Sequence, residues 1–531
     1  MKFHLSISNF FIACFGLVSI ISCKTIKPAI TKDLGQQMVL PKPLSVFATG
    51  GSFEMNKNTS ILYQSEELQP IADYLAMMLR PATSFEFPVK LLDGKPANNH
   101  IILSLTDSVL TDEGYELETN KNGVVIKAKN PAGIFYGIQT LRQLLPASIE
   151  KGTKITDNLL VPTGTIKDNP TYGYRGAMLD VCRHFFGVDD VKRYIDLISI
   201  YKMNRLHLHL SDDQGWRIEI KSWPKLTQIG GSSQVGGGQG GFFTQEQYKD
   251  IVKYAQSRFI TIIPEIDMPG HTNAALASYP ELNCNDKAPE LYHGTEVGFS
   301  SFCIDKEITY QLIDDVIREL AAITPGEYIH IGGDESHATT MVDYISFMNK
   351  TQNIVEKYGK KVIGWDEIAH TDLLSTSVVQ YWSKKGENAV MGAQKGAKIL
   401  MSPAKKVYLD MKYDVTTRIG LDWMGYIEVD VAYNWDLEKY ENGISKENII
   451  GIEAPLWTET VETMDDIEYL AFPRIIGMAE IGWTPTSQRN WEEYKVRLGK
   501  HKDRLDALNI DFYHSPLVPW ISTGVHKVNG L

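Results

Sequence analysis

The chain has 531 residues, 43% of them hydrophobic and 22% charged, which is room for two to four globular domains around a large core. A formal net charge of −12 repels phosphate backbones and argues against a nucleic-acid partner. Ten Trp and 25 Tyr offer flat apolar faces with a polar edge, which suit sugar rings as well as cores.

At the N-terminus, Lys2 is followed by an apolar stretch over 10–21 and then by Ser22-Cys23. The stretch is shorter than the ~20 apolar residues that span a bilayer, so it reads as an export signal. Ile20-Ile21-Ser22-Cys23 resembles a bacterial lipobox, in which the Cys is acylated and becomes the mature N-terminus; a plain cleaved signal peptide is the other reading. The expected layout is a lipoprotein signal peptide over 1–22, a polar tether over 23–37, and a lipid anchor at Cys23. That places the protein on a membrane of a bacterial cell envelope, periplasmic or surface-exposed. Once the signal peptide with Cys14 is removed, Cys182, Cys284 and Cys303 remain besides Cys23, and three make no disulfide framework in a chain this long. Cys284 and Cys303 flank one loop and could pair outside the cytoplasm; two free thiols fit equally.

Residues 38–167 mix short strands (60–63, 100–105, 123–128) with helical spacing over 67–79 and 133–144, an α+β domain. After Asn169-Pro170 the rhythm becomes strand, loop, helix. Short apolar runs fall at 176–179, 206–210, 260–263, 328–331, 362–364, 378–381, 399–401 and 449–452. Helix-patterned stretches at 188–201, 245–257, 308–323 and 340–358 lie between several of them. Eight such runs with crossover helices predict parallel strands buried on both faces. A (β/α)8 TIM barrel over 168–531 fits that count, with a doubly wound open sheet as the alternative. The glycine-rich GGSSQVGGGQGG at 230–241 follows no strand-to-helix turn directly, so a mobile loop is expected there rather than a phosphate cradle.

A barrel places its working side chains where strands end. Asp180, Asp212 and Asp213, Glu265 and Asp267, Asp334 and Glu335, Asp366 and Glu367, Trp382, and Trp457 with Glu459 all follow such runs. One acid after a strand is an ordinary helix cap. Acids and indoles converging from many strands suit a neutral polyhydroxylated ligand.

Six motifs carry a resemblance. RGAMLD (175–180), HLHLSDDQGWRIEI (207–220), PEIDMPGH (264–271), HIGGDES (330–336), GWDE (364–367) and EAPLWTE (453–459) resemble glycoside hydrolase family 20, the β-N-acetylhexosaminidases, in that family's order. The preceding domain is similar to the family's usual N-terminal one. The resemblance implies an exo-acting, retaining enzyme that releases terminal β-linked GlcNAc or GalNAc and needs no cofactor or metal. Its partner is a glycan or glycoconjugate. The side chains of neighbouring Asp334 and Glu335 diverge at a strand end, which suits them poorly as an acid and a nucleophile on opposite sides of one bond. Family 20 instead uses the substrate's acetamido oxygen as nucleophile.

By the same resemblance Glu335 is the acid/base, and Asp334 orients the acetamido group and steadies the oxazolinium charge. Arg175 holds sugar hydroxyls at the pocket floor, although a strand-start arginine is often a mere ion pair. Tyr408 donates to the acetamido carbonyl, and Asp410 and Glu459 bind hydroxyls. Trp365, Trp382 and Trp457 wall the acetamido pocket. His271, with Asp212 or Asp213, tunes the acid/base, supported by Asp267.

Three other readings compete. Disaccharide release of the lacto-N-biosidase kind occurs in the same family. A barrel can bind sugar without cleaving it. The pair His207 and His209 could open a metal-dependent hydrolase site with His271.

Overall fold

The computed structural model describes residues 33–521, apart from positions 95, 97 and 110, together with Met1. Cys23, the signal peptide and the tether up to residue 32 lie outside the described residues. The last part of the expected tether does not hang free. Asp33 caps a 3-10 turn over Leu34–Gln36, and Leu34 is buried in the first domain's core.

That core lies under a seven-stranded mixed sheet. Its strands are β1 (Ser45–Met55), β2 (Ser60–Tyr63), β3 (Val89–Leu91), β4 (His100–Leu105), β5 (Tyr115–Asn120), β6 (Gly123–Ala128) and β7 (Leu159–Asp168), in the order β1-β7-β5-β6-β4-β2-β3. The helices Gln69–Thr83 and Pro131–Leu144 bury their apolar faces against it.

The eight apolar runs close into a parallel barrel. Its strands are β8 (Tyr174–Asp180) and β9 (Arg205–His209), then, after a short hairpin of β10 (Ser211–Asp212) and β11 (Gly215–Trp216), β12 (Thr261–Glu265), β13 (Tyr328–His330), β14 (Lys361–Trp365), β15 (Val378–Tyr381), β16 (Lys398–Met401) and β17 (Ile449–Leu456). β17 pairs with β8 from Gly451↔Tyr174 to Leu456↔Leu179, so no edge is left and the open-sheet alternative falls. The strands are short and almost wholly buried, which is why they read as continuous apolar runs.

The glycine-rich segment is held rather than loose. The buried Arg217 guanidinium donates to the carbonyls of Gly231, Ser233 and Gly241, and also to those of Val181 and Cys182. One buried guanidinium thus meets five backbone carbonyls, three of them in this segment. Cys284 and Cys303 form a disulfide, and Cys182 is buried and unpaired.

Arg175 corrects an expectation. It is the second residue of β8, at the barrel end remote from the strand termini that build the site. Its guanidinium is fully buried, pairs with Glu113 at 2.9 and 3.0 Å, and lies 5.6 and 5.1 Å from the Tyr136 and Trp483 ring centroids. It therefore ties the barrel's base to the first domain and holds no sugar. Lys202 and Asp168 form a second buried ion pair there at 3.1 Å, and Trp483 donates to the same Asp168. Arg175→Met is expected to lower stability by about 3 kcal/mol, because Glu113 keeps a charge without its partner. Denaturant unfolding measures this, and the folded fraction should keep its catalytic constants.

Candidate active site

The site is a cavity of about 250 Å³ at the C-terminal mouth of the barrel. Asp334 and Glu335 reach it through a tight turn after β13. At Gly332, φ is +63° and an added Cβ would lie 1.7 Å from Asp267 Oδ1. Only glycine fits so close an approach, and Asp267 Oδ1 accepts the next amide, from Gly333, at 3.1 Å. Glu335 itself takes φ +48°, a left-handed conformation costing of order 1 kcal/mol in a non-glycine residue. The turn buries Asp334 to 7% exposure while Glu335 stays partly open to the cavity.

Both carboxyls meet the same imidazole. His271 Nε2 lies 3.7 Å from Asp334 Oδ2 and 3.5 Å from Glu335 Oε2, and its Nδ1 lies 3.1 Å from Asp212 Oδ1. Burial alone would strip the His271 proton. Asp212, Asp334 and Asp267 outweigh it and raise its pKa well above the usual imidazole range. Asp212, not Asp213, is the partner that matters: burial opposes its ionisation, but Arg183, His271 and His209 hold it well below the ordinary carboxylate range. Asp213 instead accepts from Asn273 N and Ser300 Oγ and so pins the following loops. Burial pushes the Asp267 carboxyl up to about 7. Burial, then Asp267, raise Asp334 well above its normal value, and Glu335 adds to this. Asp334 Oδ1 has no hydrogen-bond partner among the described residues.

Around Asp334 stand aromatic walls. Trp382, Trp457, Tyr408 and Trp423 line the cavity. Trp365, expected as a wall, is 1% exposed and stands behind them, 6.5 Å from the Trp382 ring and 5.8 Å from Trp457. Asp366 accepts the Trp382 amide and Glu367 accepts Trp382 Nε1, so the GWDE acids fix one wall. Burial, with Asp410 and Asp334 nearby, keeps the Tyr408 hydroxyl protonated and hence a donor.

The floor holds Asp410, Glu459 and Arg183. Both oxygens of Asp410 and one of Glu459 are buried without a hydrogen-bond partner among the described residues. Arg183 was missed in the sequence. It lies three residues past the end of β8, pairs with Asp212 at 2.9 Å and Asp180 at 3.3 Å, and covers the Trp457 ring at 4.7 Å. It occupies the place expected of Arg175, and its position beyond a strand's C-terminal end was the available signal. Trp423, 49% exposed on a long loop after β16, carried none. Thr295 and Val297 supply the opposite rim from the loop that the Cys284–Cys303 bridge closes.

His207 and His209 do not reach the cavity. They point into the barrel, where His207 lies 2.9 Å from both Glu453 and Glu265, and His209 is bonded to Glu265 and Asp212.

The description "Glycosyl hydrolase family 20, catalytic domain" matches residues 172–343 and 336–486, and "Glycosyl hydrolase family 20, domain 2" matches 36–169. A β-N-acetylhexosaminidase of Cellulomonas fimi is 39% identical, over 92% of this chain and 98% of its own. The structure of the GH20 β-N-acetylhexosaminidase from Streptomyces coelicolor A3(2) matches with a TM-score of 0.90 at 48% identity, covering 92% of this chain and 100% of that one. The Streptomyces plicatus N-acetyl-β-hexosaminidase bound to thio-NAglucal gives 0.90 at 50% identity, with 92% and 99% covered. Barrel, preceding domain and relatives agree over nearly the whole described length: the chain belongs to glycosyl hydrolase family 20 and is a β-N-acetylhexosaminidase.

Proposed function

We propose that the enzyme removes single terminal β-linked GlcNAc or GalNAc residues from glycans with retention, using the substrate's own 2-acetamido oxygen as nucleophile. The observation that carries this reading is the gathering of Asp334 and Glu335 on one atom, His271 Nε2. Two carboxyls on the same side of the site do not flank an anomeric carbon, as an acid and a protein nucleophile must. Glu335, the more exposed, is left for the glycosidic oxygen, and buried Asp334 for the amide. A Streptomyces plicatus relative is described in complex with product GlcNAc, and a Vibrio harveyi relative as an exo β-N-acetylglucosaminidase. The unpartnered oxygens of Asp410 and Glu459 beside Arg183 support exo action, because they suit the free hydroxyls of a terminal sugar.

In the first step the acetamido oxygen bonds to C1 as the C1–O bond breaks, and Glu335 gives its proton to the departing oxygen. Asp334 Oδ1 accepts the acetamido N–H, Tyr408 donates to the acetamido oxygen, and the indoles enclose the methyl group. The cyclic oxazolinium carries positive charge beside Asp334. A carboxyl that burial and neighbouring acids have pushed up gains most from such a cation. Water then bonds to C1 as the bond from C1 to the acetamido oxygen breaks and the amide is restored; Glu335 takes the water's proton, and the sugar leaves with its original configuration. Protonated His271, held by Asp212, keeps the two carboxyls oriented.

Glu335→Gln is expected to lose ~10²–10⁴-fold on alkyl glycosides, which need a proton on the leaving oxygen, and far less on activated aryl ones. Equal losses on both would contradict the acid role. Asp334→Asn should lower kcat by ~10²–10³-fold with little change in KM, and a β-glucoside without the acetamido group should be almost inert. A sugar trapped covalently on either carboxylate would overturn the scheme.

We place the enzyme on a bacterial envelope membrane through acylated Cys23, on the strength of the lipobox alone. Two or three acyl chains anchor stably where one is marginal. Cys23→Ala should move the protein from the membrane pellet to the soluble fraction of a fractionated host; unchanged pelleting would refute the anchor.

A further inference from the structure

We propose that Glu265 is a positioning residue that couples the aromatic box to the acid/base, so that the fit of the acyl group is felt at Glu335. The inference rests on the substrate-assisted reading above and goes beyond it.

Glu265 ends β12, is wholly buried, and does not line the active-site cavity. Its two oxygens face two different parts of the site. Oε1 accepts Trp365 Nε1 at 2.8 Å and lies 3.0 Å from His330 Nδ1. Oε2 is bonded to His209 Nδ1 at 2.5 Å and lies 2.9 Å from His207 Nε2.

From Oε1 the path runs outward through Trp365, which stands edge-on to Trp382 and against Trp457, the walls of the box. From Oε2 it runs through His209 Nε2 to Asp212 Oδ2 at 2.9 Å, and from Asp212 Oδ1 to His271 Nδ1 at 3.1 Å. It ends at Glu335, whose Oε2 is 3.5 Å from His271 Nε2.

A carboxylate is a rigid planar acceptor. Neither oxygen can follow a displaced partner without the other turning on its own. An acyl group that pushes Trp382 and Trp457 outward therefore shifts Trp365, turns Glu265, and disturbs the line from His209 to His271. The buried pairs on this line are ionic, which makes it stiff: burial opposes the charges, but His209, His330 and His207 hold Glu265 ionised, and Glu265 and Asp212 keep the proton on His209. His209 also lies edge-on to Trp457 at 4.9 Å. The informative direction is therefore from the box to the acid.

Trp365→Phe removes the donor to Oε1 and leaves every residue of the acid line in place. It is expected to cut kcat on a methyl N-acetyl-β-glucosaminide about tenfold more than on the 4-nitrophenyl glycoside. Glu265→Gln should show the same leaving-group bias together with a weaker preference for N-acetyl over N-butanoyl substrates. In either the Glu265→Gln or the His271→Asn background, Trp365→Phe should add no further bias. The His271 cycle stands by itself if Glu265→Gln does not fold, as judged by circular dichroism. Equal effects of Trp365→Phe on both leaving groups, or biases that multiply within about twofold in the double variants, would overturn the coupling. If wild-type enzyme cleaves the unsubstituted glucoside as well as the N-acetyl substrate, the substrate-assisted reading fails instead.

Discussion

The site depends on keeping several carboxyl groups together out of water, which costs several kcal/mol for each ion unless an opposite charge stands beside it. The barrel interior meets that cost with imidazoles placed alternately with acids. Glu453, His207, Glu265, His209, Asp212 and His271 follow one another at 2.5 to 3.1 Å, all fully or nearly fully buried. Where the alternation is complete, as at Asp212, the carboxyl is held far below its ordinary range; where it stops, as at Asp334 and Asp410, burial wins and the carboxyl is pushed up. Among the acids pushed up in this way, Asp334, Asp410 and Glu459 face the cavity. A substrate that brings an N–H, hydroxyls and a developing positive charge completes what the protein leaves unpaired.

The fold makes this possible by its division of ends. At the mouth, β13 stops after three residues and Gly332 lets Asp267 approach within reach of the Gly333 amide, and the turn sets Asp334 and Glu335 beside one imidazole, the first buried and the second open to the cavity. At the base, Arg175, Glu113, Lys202, Asp168 and Trp483 bind the barrel to its companion sheet. Charge at the base is fully paired and serves cohesion. Charge at the mouth is left partly unpaired and serves chemistry.

The barrel was legible because each of its strands is buried on both faces and so leaves a continuous apolar run between loops. The first domain was less so. β1, SVFATGGSFEM, exposes much of its length and bulges between Ala48 and Ser52, and β5, YELETN, alternates with charged residues. Both gain their strand character from their neighbours β7 and β6 rather than from their own composition. Among site residues, those at strand ends could be placed by position alone. Arg175 and Arg183 show the limit. The two arginines sit eight residues apart on one strand and its loop, and only the register of β8 decides which end each occupies. Trp423 lies beyond such reasoning, because a long loop folds back over the mouth without any periodic pattern.

The central claim is that the substrate's acetamido oxygen is the nucleophile. It is most directly tested by replacing the hydrogens of the acetyl methyl group one at a time with fluorine in a single aryl glycoside. Fluorine withdraws electrons from the carbonyl while adding little bulk. The account requires kcat/KM to fall steeply and regularly from no fluorine to three, with the KM of the folded enzyme changing far less than kcat. A rate independent of fluorination would mean that the amide carbonyl takes no part in bond making, and the account would be wrong.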